Sequence, residues 1–270
     1  MNPNTMYDAF SMDYDRFVNW PARLSAELPF LVRQLKSLDT HQVLDTACGT
    51  GMHAIALASQ GYQVAGADLS PRMVERARKN AVEAGAEVRF EIAGFGELSK
   101  NFGEGSFDAL LCLGNSLPHV TSLEHLNMTL SDFASCLRPG GILILQNRNF
   151  NAVLAKRERW MEPQSHGEGD WEWLFIRFYD FESSGLITFN VLSLSRQEAG
   201  AWTQQIMSTS LLPLPQALMV EALLDIGFTD IVCYGSMAEA PFEPETSGNL
   251  VITALKRNMK GITGTHSLLK

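Results

Sequence analysis

The sequence lacks the features by which membrane proteins and secreted proteins are recognised. No run of about eighteen apolar residues occurs, which is the length that a membrane-spanning helix requires. The N-terminal segment is acidic and aromatic, whereas a signal peptide starts with basic residues and continues with an apolar stretch. The 4 cysteines lie far apart and form no Cys-x-x-Cys pair, which argues against a zinc knuckle and against a disulfide framework. These absences predict a soluble, cytoplasmic protein without a membrane partner.

Positive charge is scarce as well. The chain contains 21 Lys and Arg residues against 30 Asp and Glu residues, which gives a formal net charge of -9. Such a surface repels phosphate backbones on average, so nucleic acid is not expected as a partner. Hydrophobic residues account for 46% of the 270 positions, which is enough for the core of one large domain or of one domain with a subdomain.

Strand-like and helix-like segments alternate over the first half of the chain. Short apolar runs predict a buried strand at 42–46 and further strands at 63–68, 88–93, 107–113 and 142–146. Helical periodicity and capping residues predict helices at 21–38, 52–60 and 71–84, and a further helix that ends near residue 137. Thr121 and Glu124 stand at capping-box spacing before this last helix, and a turn at 138–141 (RPGG) follows it. Strands that alternate with helices indicate an α/β fold with a mostly parallel sheet.

The pattern changes after residue 149. Segments 171–181, 186–195 and 202–211 are strand-like and are separated by turn-rich sequences, which predicts an antiparallel insertion. A helix at 215–226 leads back to the main sheet, where segments 230–234 and 249–255 are expected to form an edge hairpin. The tail after Lys256 is polar and is expected to be loose.

The glycine loop after the first strand is the strongest sign of a binding site. Gly49 and Gly51 allow the backbone to approach a ligand closely, and the helix that follows offers unpaired N–H groups. Asp68 ends the next strand, where α/β sheets place a carboxylate that accepts hydrogen bonds from a ribose diol. Each feature alone also fits an ordinary turn or a helix cap, but the pair together indicates a cofactor.

Two cofactors compete for this loop. The spacing Gly49-x-Gly51-x-x-Ala54 satisfies the relaxed fingerprint of NAD-binding folds. Asp45 at the start of the loop would repel a pyrophosphate, whereas its carboxylate can serve the cationic amino-acid end of S-adenosylmethionine, directly or through water. Asp45 therefore favours the sulfonium cofactor, and an NAD-linked oxidoreductase stays the alternative.

Several motifs together resemble those of class I methyltransferases. The resemblance rests on Asp45-x-Ala47-x-Gly49-x-Gly51, on Asp68 and on the turn at 137–141 (LRPGG), and it covers residues 43–149. The rarer segments 112–119 (CLGNSLPH) and 146–150 (QNRNF) are similar to those of the glycine N-methyltransferase family.

This resemblance implies a Rossmann-like sheet of seven strands, mostly parallel with one antiparallel edge strand, and an antiparallel β insertion. Together with the pattern of strands and helices, the resemblance divides the chain into five parts. These are an N-terminal helical segment that closes over the site (1–40), a cofactor-binding core (41–149), an insertion that covers the substrate (150–211), the end of the core (212–257) and a loose tail (258–270). The implied cofactor is S-adenosyl-L-methionine, with S-adenosyl-L-homocysteine as its product, and no metal is required.

The resemblance also implies roles for particular residues. Asn115 and Arg148 correspond to residues that hold the substrate carboxylate in that family, and a guanidinium can grip a carboxylate through two hydrogen bonds. The residues implied in cofactor binding are Arg23, Asp45, Ala47, Gly49, Gly51, Asp68, Leu69, Gly94, Phe95 and Leu113. Tyr14 and Trp20 lie in the segment that is expected to close over the site.

The chain departs from the family in three places. Segment 93–96 (AGFG) has no carboxylate beside Phe95, so adenine recognition is expected to rest on backbone groups and apolar contacts. Pro118 replaces a small residue, and Phe150 replaces a tyrosine. These departures leave the acceptor open.

The preferred function is methylation of a small molecule, with N-methylation of glycine or a related amino acid or amine as the leading hypothesis. O- or C-methylation of another metabolite is the main alternative. For an alcohol or phenol acceptor His119 is the candidate base, because an imidazole pKa of about 6.5 suits proton transfer, whereas the preferred interpretation of His119 is a structural loop histidine. A third hypothesis is a protein that binds the cofactor without transferase activity. His53 is expected to neighbour the cofactor without taking part in catalysis. The aromatic residues of the insertion form either a lid or the insertion's own core; they are Trp160, Trp171, Trp173 and Phe175.

Overall fold

The computed structural model describes Asp8 and residues 14–258, so most of the predicted tail and most of the first 13 residues lie outside the described part. Eleven strands are described: β1 (Gln42–Thr46), β2 (Gln63–Asp68), β3 (Val88–Ile92), β4 (Phe107–Cys112), β5 (Leu137–Arg148), β6 (Gln164–Glu168), β7 (Trp171–Phe181), β8 (Ile187–Gln197), β9 (Thr203–Leu211), β10 (Phe228–Tyr234) and β11 (Asn249–Lys256). Seven α-helices accompany them: α1 (Trp20–Ser37), α2 (Met52–Ala58), α3 (Pro71–Ala84), α4 (Leu98–Phe102), α5 (Leu123–Cys136), α6 (Phe150–Lys156) and α7 (Gln216–Ile226). Within this part of the chain, no helix is both long and apolar enough to cross a membrane.

Seven strands form the main sheet in the order β10-β11-β5-β4-β1-β2-β3. Strands β1 to β5 are parallel, and β11 pairs antiparallel with both β5 and β10. The predicted mostly parallel sheet with an antiparallel edge is confirmed. The carboxyl ends of the parallel strands therefore meet along one rim, where α/β folds bind their ligands.

Alternation along the strands builds a core on each face of this sheet. In β1, Val43 packs with α1, α2 and α3, whereas Leu44 packs with α5 and α7. Both side chains are fully buried. Period-two alternation with helices on both faces is the arrangement that a buried parallel sheet requires.

Local capping explains where the helices begin. The Ser70 hydroxyl accepts a hydrogen bond from the Met73 amide at 3.2 Å, with Pro71 in the first turn of α3. At α5 the prediction that Thr121 is the cap is wrong, because Ser122 accepts from the amide of His125 at 3.1 Å. Serine and threonine adjoin here, and the backbone selects the one with extended φ and ψ.

The turn predicted at 138–141 is part of a strand. β5 begins at Leu137, and its register against β4 shifts between the pair Phe107/Leu137 and the pair Ala109/Ile142. The segment is therefore a bulge, and Gly140 takes a left-handed φ of 79° within it.

A second, antiparallel sheet has the order β6-β7-β8-β9. Three of its strands match the predicted insertion, whereas β6 and the short helix α6 were not predicted. Trp173 and Phe175 are buried with Val191 and Met207, which supports the interpretation as the insertion's own core. Trp160 and Trp171 are exposed and do not belong to this core.

Candidate active site

The glycine loop follows β1 in the predicted conformation. Gly49 and Gly51 have φ values of 56° and 80°. A Cβ atom on Gly51 would lie 2.8 Å from the Phe90 ring and 2.9 Å from the Cβ of Ala77. Gly51 is thus required by packing beneath the loop, whereas Gly49 lies on a cavity wall.

Asp68 at the end of β2 is anchored to the loop. Its carboxylate accepts hydrogen bonds from the Gly49 and Ser70 amides, each at 2.9 Å. Burial raises the pKa of Asp68 to about 6, against the opposing effect of these two amides. A carboxylate has about four lone-pair sites, so two remain for a ligand.

A first cavity of about 500 Å³ opens beside this loop at the rim of the sheet. Six of the predicted cofactor residues line it: Ala47, Gly49, Asp68, Leu69, Gly94 and Phe95. Asp45, Gly51, Leu113 and Arg23 do not line it. Sequence reasoning missed further lining residues, among them Ser70, Met73, Glu97, Ser116, His125 and Met128.

A carboxylate does stand near Phe95, contrary to the sequence expectation. Glu97 lines the first cavity, and its Oε2 accepts a hydrogen bond from the Gly94 amide at 3.2 Å. The residue lies two positions beyond Phe95, at the N-terminal boundary of α4. The chain turns between Gly94 and Glu97, and this turn brings the Glu97 carboxylate to the cavity wall. The order of residues in the sequence does not reveal such a turn.

Asp45 lies behind the loop with 2% of its surface exposed. Its Oδ2 has no hydrogen-bond partner in the described structure. Burial and the nearby Asp68 raise the pKa of Asp45 to about 7, partly offset by Arg23. A buried carboxylate without a partner fits a site whose ligand brings a positive charge.

A buried polar network supports the site from α1. The Glu27 carboxylate contacts His53 Nε2 at 2.6 Å and accepts from Gln146 Nε2 at 2.8 Å and Arg23 Nε at 3.1 Å. Gln146 Oε1 in turn accepts from the Gly114 amide at 3.0 Å. The expectation that His53 neighbours the cofactor is corrected, because His53 lines neither cavity and holds Glu27 instead. Glu27 and Gln146 carried no sequence signal of this role.

The segment before α1 is tied to the glycine loop. The Asp15 carboxylate accepts from Trp20 Nε1 at 2.8 Å and from the Thr50 hydroxyl at 2.6 Å, and it pairs with Arg76 at 3.2 Å. Tyr14, one residue earlier, lines the first cavity and also a second one. Trp20 is buried and lines neither.

The second cavity, of about 280 Å³, adjoins the first and shares the residues Tyr14, Gly114 and His119 with it. Both predicted substrate residues line it, and Arg23 does so as well. Residues of the second sheet complete its wall: Arg177, Tyr179, Phe189 and Val191.

Asn115 and Arg148 come together at the ends of β4 and β5. Asn115 has a left-handed φ of 66°, and its Oδ1 accepts a hydrogen bond from the Arg148 amide at 2.9 Å. The Arg148 guanidinium lies 3.5 Å from Glu158, and its Nε is buried without a hydrogen-bond partner among the described residues. Asn115 thus fixes the backbone from which Arg148 reaches into the cavity.

Asn147 was missed although it belongs to the quoted segment 146–150. It is 1% exposed, lines the second cavity, and has no partner for either its Oδ1 or its Nδ2 in the described structure. A buried amide without partners is unfavourable unless a ligand satisfies it.

His119 lies at the junction of the two cavities on a 3₁₀ turn, Leu117–His119. Burial lowers the pKa of His119 to about 4. The alternative role of His119 as a base near neutral pH is therefore disfavoured, because an imidazole with so low a pKa is neutral and weakly basic there.

Known proteins show the same fold and related sequences. The sequence model of a family described as a methyltransferase domain matches residues 43–141. The glycine/sarcosine N-methyltransferase of Aphanothece halophytica is 32% identical over 249 residues, covering 87% of this chain and 84% of that protein. The glycine/sarcosine N-methyltransferase of Parasynechococcus marenigrum (strain WH8102) is 39% identical over 145 residues, which is 54% of this chain and 51% of that protein.

Among solved structures, an S-adenosylmethionine-dependent methyltransferase from Clostridium acetobutylicum ATCC 824 has a TM-score of 0.73 at 16% identity, covering 93% of this chain and 99% of that one. This likeness shows the fold. With one relative 32% identical and aligned over 84% of its length, the chain belongs to the S-adenosylmethionine-dependent methyltransferases, in the family of the glycine/sarcosine N-methyltransferases.

Proposed function

We propose that the protein methylates the amine of a small amino acid, with glycine and its N-methylated form sarcosine as the first acceptors to test. The relatives named above support this acceptor class. The observation that carries the proposal is the position of Arg148. It lines the second cavity, which adjoins the first cavity, where the cofactor fits.

The first cavity fits S-adenosylmethionine on three counts. Asp68 has lone pairs left for a ribose diol. Asp45 Oδ2 has no hydrogen-bond partner in the described structure, so the carboxylate can serve the positive charge of the cofactor. At Gly94, a Cβ atom would lie 2.9 Å from the Leu69 side chain, so glycine keeps this wall open. We assign cofactor binding to Ala47, Gly49, Asp68, Leu69, Gly94, Phe95 and Glu97 on the wall, with Asp45 acting from behind the loop.

When bound, this cofactor supplies an electrophilic methyl group on a positively charged sulfur. The chain's contribution is to hold the acceptor: the Arg148 guanidinium binds the carboxylate, and the Asn147 Oδ1 accepts a hydrogen bond from the amine. Holding two reactants in a productive orientation contributes about 7 to 11 kcal/mol in favourable cases, so a strong base is not required.

The low basicity of His119 favours an amine over a hydroxyl acceptor. An amine attacks through its own lone pair once it is deprotonated in solution, whereas an alcohol needs a positioned base during attack. His119, the histidine that lines both cavities near Arg148, has its pKa lowered to about 4 by burial. N-methylation is therefore preferred to O-methylation.

We also propose that the N-terminal segment and the insertion cover the acceptor. Tyr14 and Phe17 from the former, and Tyr179 and Phe189 from the latter, all line the second cavity. Entry and exit of the acceptor would then require these parts to separate.

The test compares Arg148→Gln with Arg159→Gln. Arg159 is a matched control because its half-exposed guanidinium pairs with Asp180 at 2.6 Å and it lines neither cavity. Losing a hydrogen-bonded charge pair costs about 1.5 to 3 kcal/mol, so Arg148→Gln should lower kcat/KM for glycine or sarcosine about 10- to 100-fold.

Affinity for S-adenosylhomocysteine, measured by calorimetry, should stay within about twofold of wild type in both variants, because Arg148 does not line the first cavity. Equal kcat/KM in Arg148→Gln and Arg159→Gln would contradict the assignment. Absence of methyl transfer to either acceptor by the wild type would contradict the proposed acceptor class.

A further inference from the structure

A second arginine of the acceptor cavity comes from the antiparallel sheet. Arg177 lies in the middle of β7, where its register partner is Val191 on β8. Its carbonyl accepts a hydrogen bond from the Met161 amide at 3.1 Å, so the backbone is held from both sides. The side chain lines the second cavity together with Arg148.

Aromatic packing holds the guanidinium of Arg177 at the wall. Its Cζ lies 4.8 Å from the centroid of the Phe17 ring, which is a cation–π distance. Phe17 in turn packs edge-on against Phe175 of the same sheet at 5.5 Å. This contact holds the guanidinium beside the ring, and its Nε has no hydrogen-bond acceptor among the described residues.

Arg177 has no counter-ion in the described structure. Its Nε is buried and unpartnered, and no ion pair joins it to an acidic residue. Arg148 is close enough to lower the pKa of Arg177, in addition to the larger effect of burial. Two guanidiniums that face one cavity repel each other, and of these two only Arg148 has an acidic side chain within 4 Å among the described residues.

The charges around the cavity leave an excess that one carboxylate would remove. Arg23 is paired with Glu27, and Arg148 has the half-exposed Glu158 at 3.5 Å. Of the three arginines that line this cavity in the described part of the chain, Arg177 is the one without an acidic partner. Tyr179 does not balance it, because burial raises the pKa of that phenol to about 12.

We propose that Arg177 is a second anchor for the acceptor's carboxylate, so that one guanidinium from the main sheet and one from the insertion grip the same anionic group. This inference rests on the proposed function, since it places that acceptor in the second cavity. It makes the insertion a specificity element that selects amines bearing a carboxylate and disfavours amines without one.

The experiment uses acetate as the probe, since it carries the carboxylate without the amine and needs no methyl transfer. Acetate is titrated by calorimetry into wild type, Arg177→Gln, Arg177→Met and Arg148→Gln, each saturated with S-adenosylhomocysteine, with Arg159→Gln as the control. We expect at least a tenfold weaker acetate affinity in the three cavity variants and an unchanged affinity in the control. Arg177→Lys should recover part of the loss, because it keeps the charge but not the fork of donors.

The second measurement is the ratio of kcat/KM for glycine to kcat/KM for glycinamide, which lacks the anionic charge. Removing Arg177 should lower this ratio, whereas a purely structural defect would lower both values equally. S-adenosylhomocysteine affinity checks that each variant is folded, and Arg177→Met keeps the aliphatic stem on Phe17 if Arg177→Gln misfolds.

Unchanged acetate affinity in Arg177→Gln or Arg177→Met would overturn the inference, as would a wild type that binds no acetate. Acetate binding that depends on Arg177, combined with no transfer to glycine or sarcosine, would support the anchor and refute the acceptor proposal alone.

Discussion

A substitution of Glu27 measures how much the buried polar network contributes to the free energy of unfolding and to cofactor binding. Glu27→Gln replaces the carboxylate by a neutral group of the same shape, which resembles the protonated glutamic acid. Burial alone would raise the pKa of Glu27, but the hydrogen bond from His53 and the charge of Arg23 outweigh it and lower the pKa from 4.5 to about 2. A tenfold change in proton affinity is about 1.4 kcal/mol, so the native state favours the ionised form by about 3 kcal/mol.

We therefore expect Glu27→Gln to lower the free energy of unfolding by about 3 kcal/mol at pH 7. The pKa of Glu27 is lower in the folded state than in the unfolded one. The contribution of its ionisation is thus complete above pH 4.5 and is lost as the pH falls from 4.5 towards 2. The difference in the free energy of unfolding between wild type and variant should therefore decrease as the pH falls from 4.5 towards 2.

Urea unfolding at pH 7, followed by circular dichroism, gives the comparison. Glu239→Gln is the control, since Glu239 pairs with Arg33 at the surface and exposed pairs contribute about 0 to 1 kcal/mol. Glu27→Gln should also weaken S-adenosylhomocysteine binding, because the single amide oxygen of the variant cannot accept from Gln146, His53 and Arg23 together. The alignment of Gln146 with Gly114 on the cavity wall is then loosened. A variant within about 1 kcal/mol of wild type would refute this account of the network.

Two further predictions concern the glycine loop. Asp45→Asn should stabilise the ligand-free protein at pH 8 by up to about 4 kcal/mol, because the pKa of Asp45 is raised from 3.8 to about 7 and its contribution to stability is lost as the pH rises through that range. Melting temperatures of both proteins at pH 5 and pH 8 check this, and parallel pH profiles would contradict it. Gly51→Ala should cost about 1 to 3 kcal/mol more than Gly85→Ala in urea unfolding. Both glycines have positive φ, but an added Cβ would contact Phe90 and Ala77 at Gly51 and nothing within 4 Å at Gly85. Equal losses of unfolding free energy in the two variants would refute the packing argument.

The main sheet was predictable because its signals are local. Each strand from β1 to β4 is short and is separated from the next by a helix or a glycine-containing loop, and the alternation of strands with helices indicates parallel pairing. The wall of the first cavity follows from the same signals, since Gly49 lies in the loop after β1 and Asp68 ends β2. Its missed member, Glu97, depends on a backbone turn that residue order does not reveal.

The second cavity was only partly predictable, because it is assembled from distant segments. Arg148 and Asn115 were found through a resemblance of short segments, and 33 positions separate them. Arg177 alternates with apolar and aromatic residues along β7, so in sequence it resembles any polar residue of a half-buried strand. Its position facing Arg148 depends on how the second sheet packs over the rim, which periodicity does not specify.

The three arginines of this cavity show that a residue's partner decides its function. Arg23 is neutralised by Glu27 and contacts Gln146 at 3.4 Å, so it belongs to the framework that holds Gly114. Arg148 has a weak partner at the rim, and Arg177 has no acidic partner in the described structure. Arg177 is half-buried with its Nε fully buried, and partial burial of a guanidinium without an anion is unfavourable. The pairing with acidic side chains of the protein thus weakens from Arg23 through Arg148 to Arg177. The anionic end of the acceptor is therefore expected to lie on the side of the cavity formed by Arg148 and Arg177.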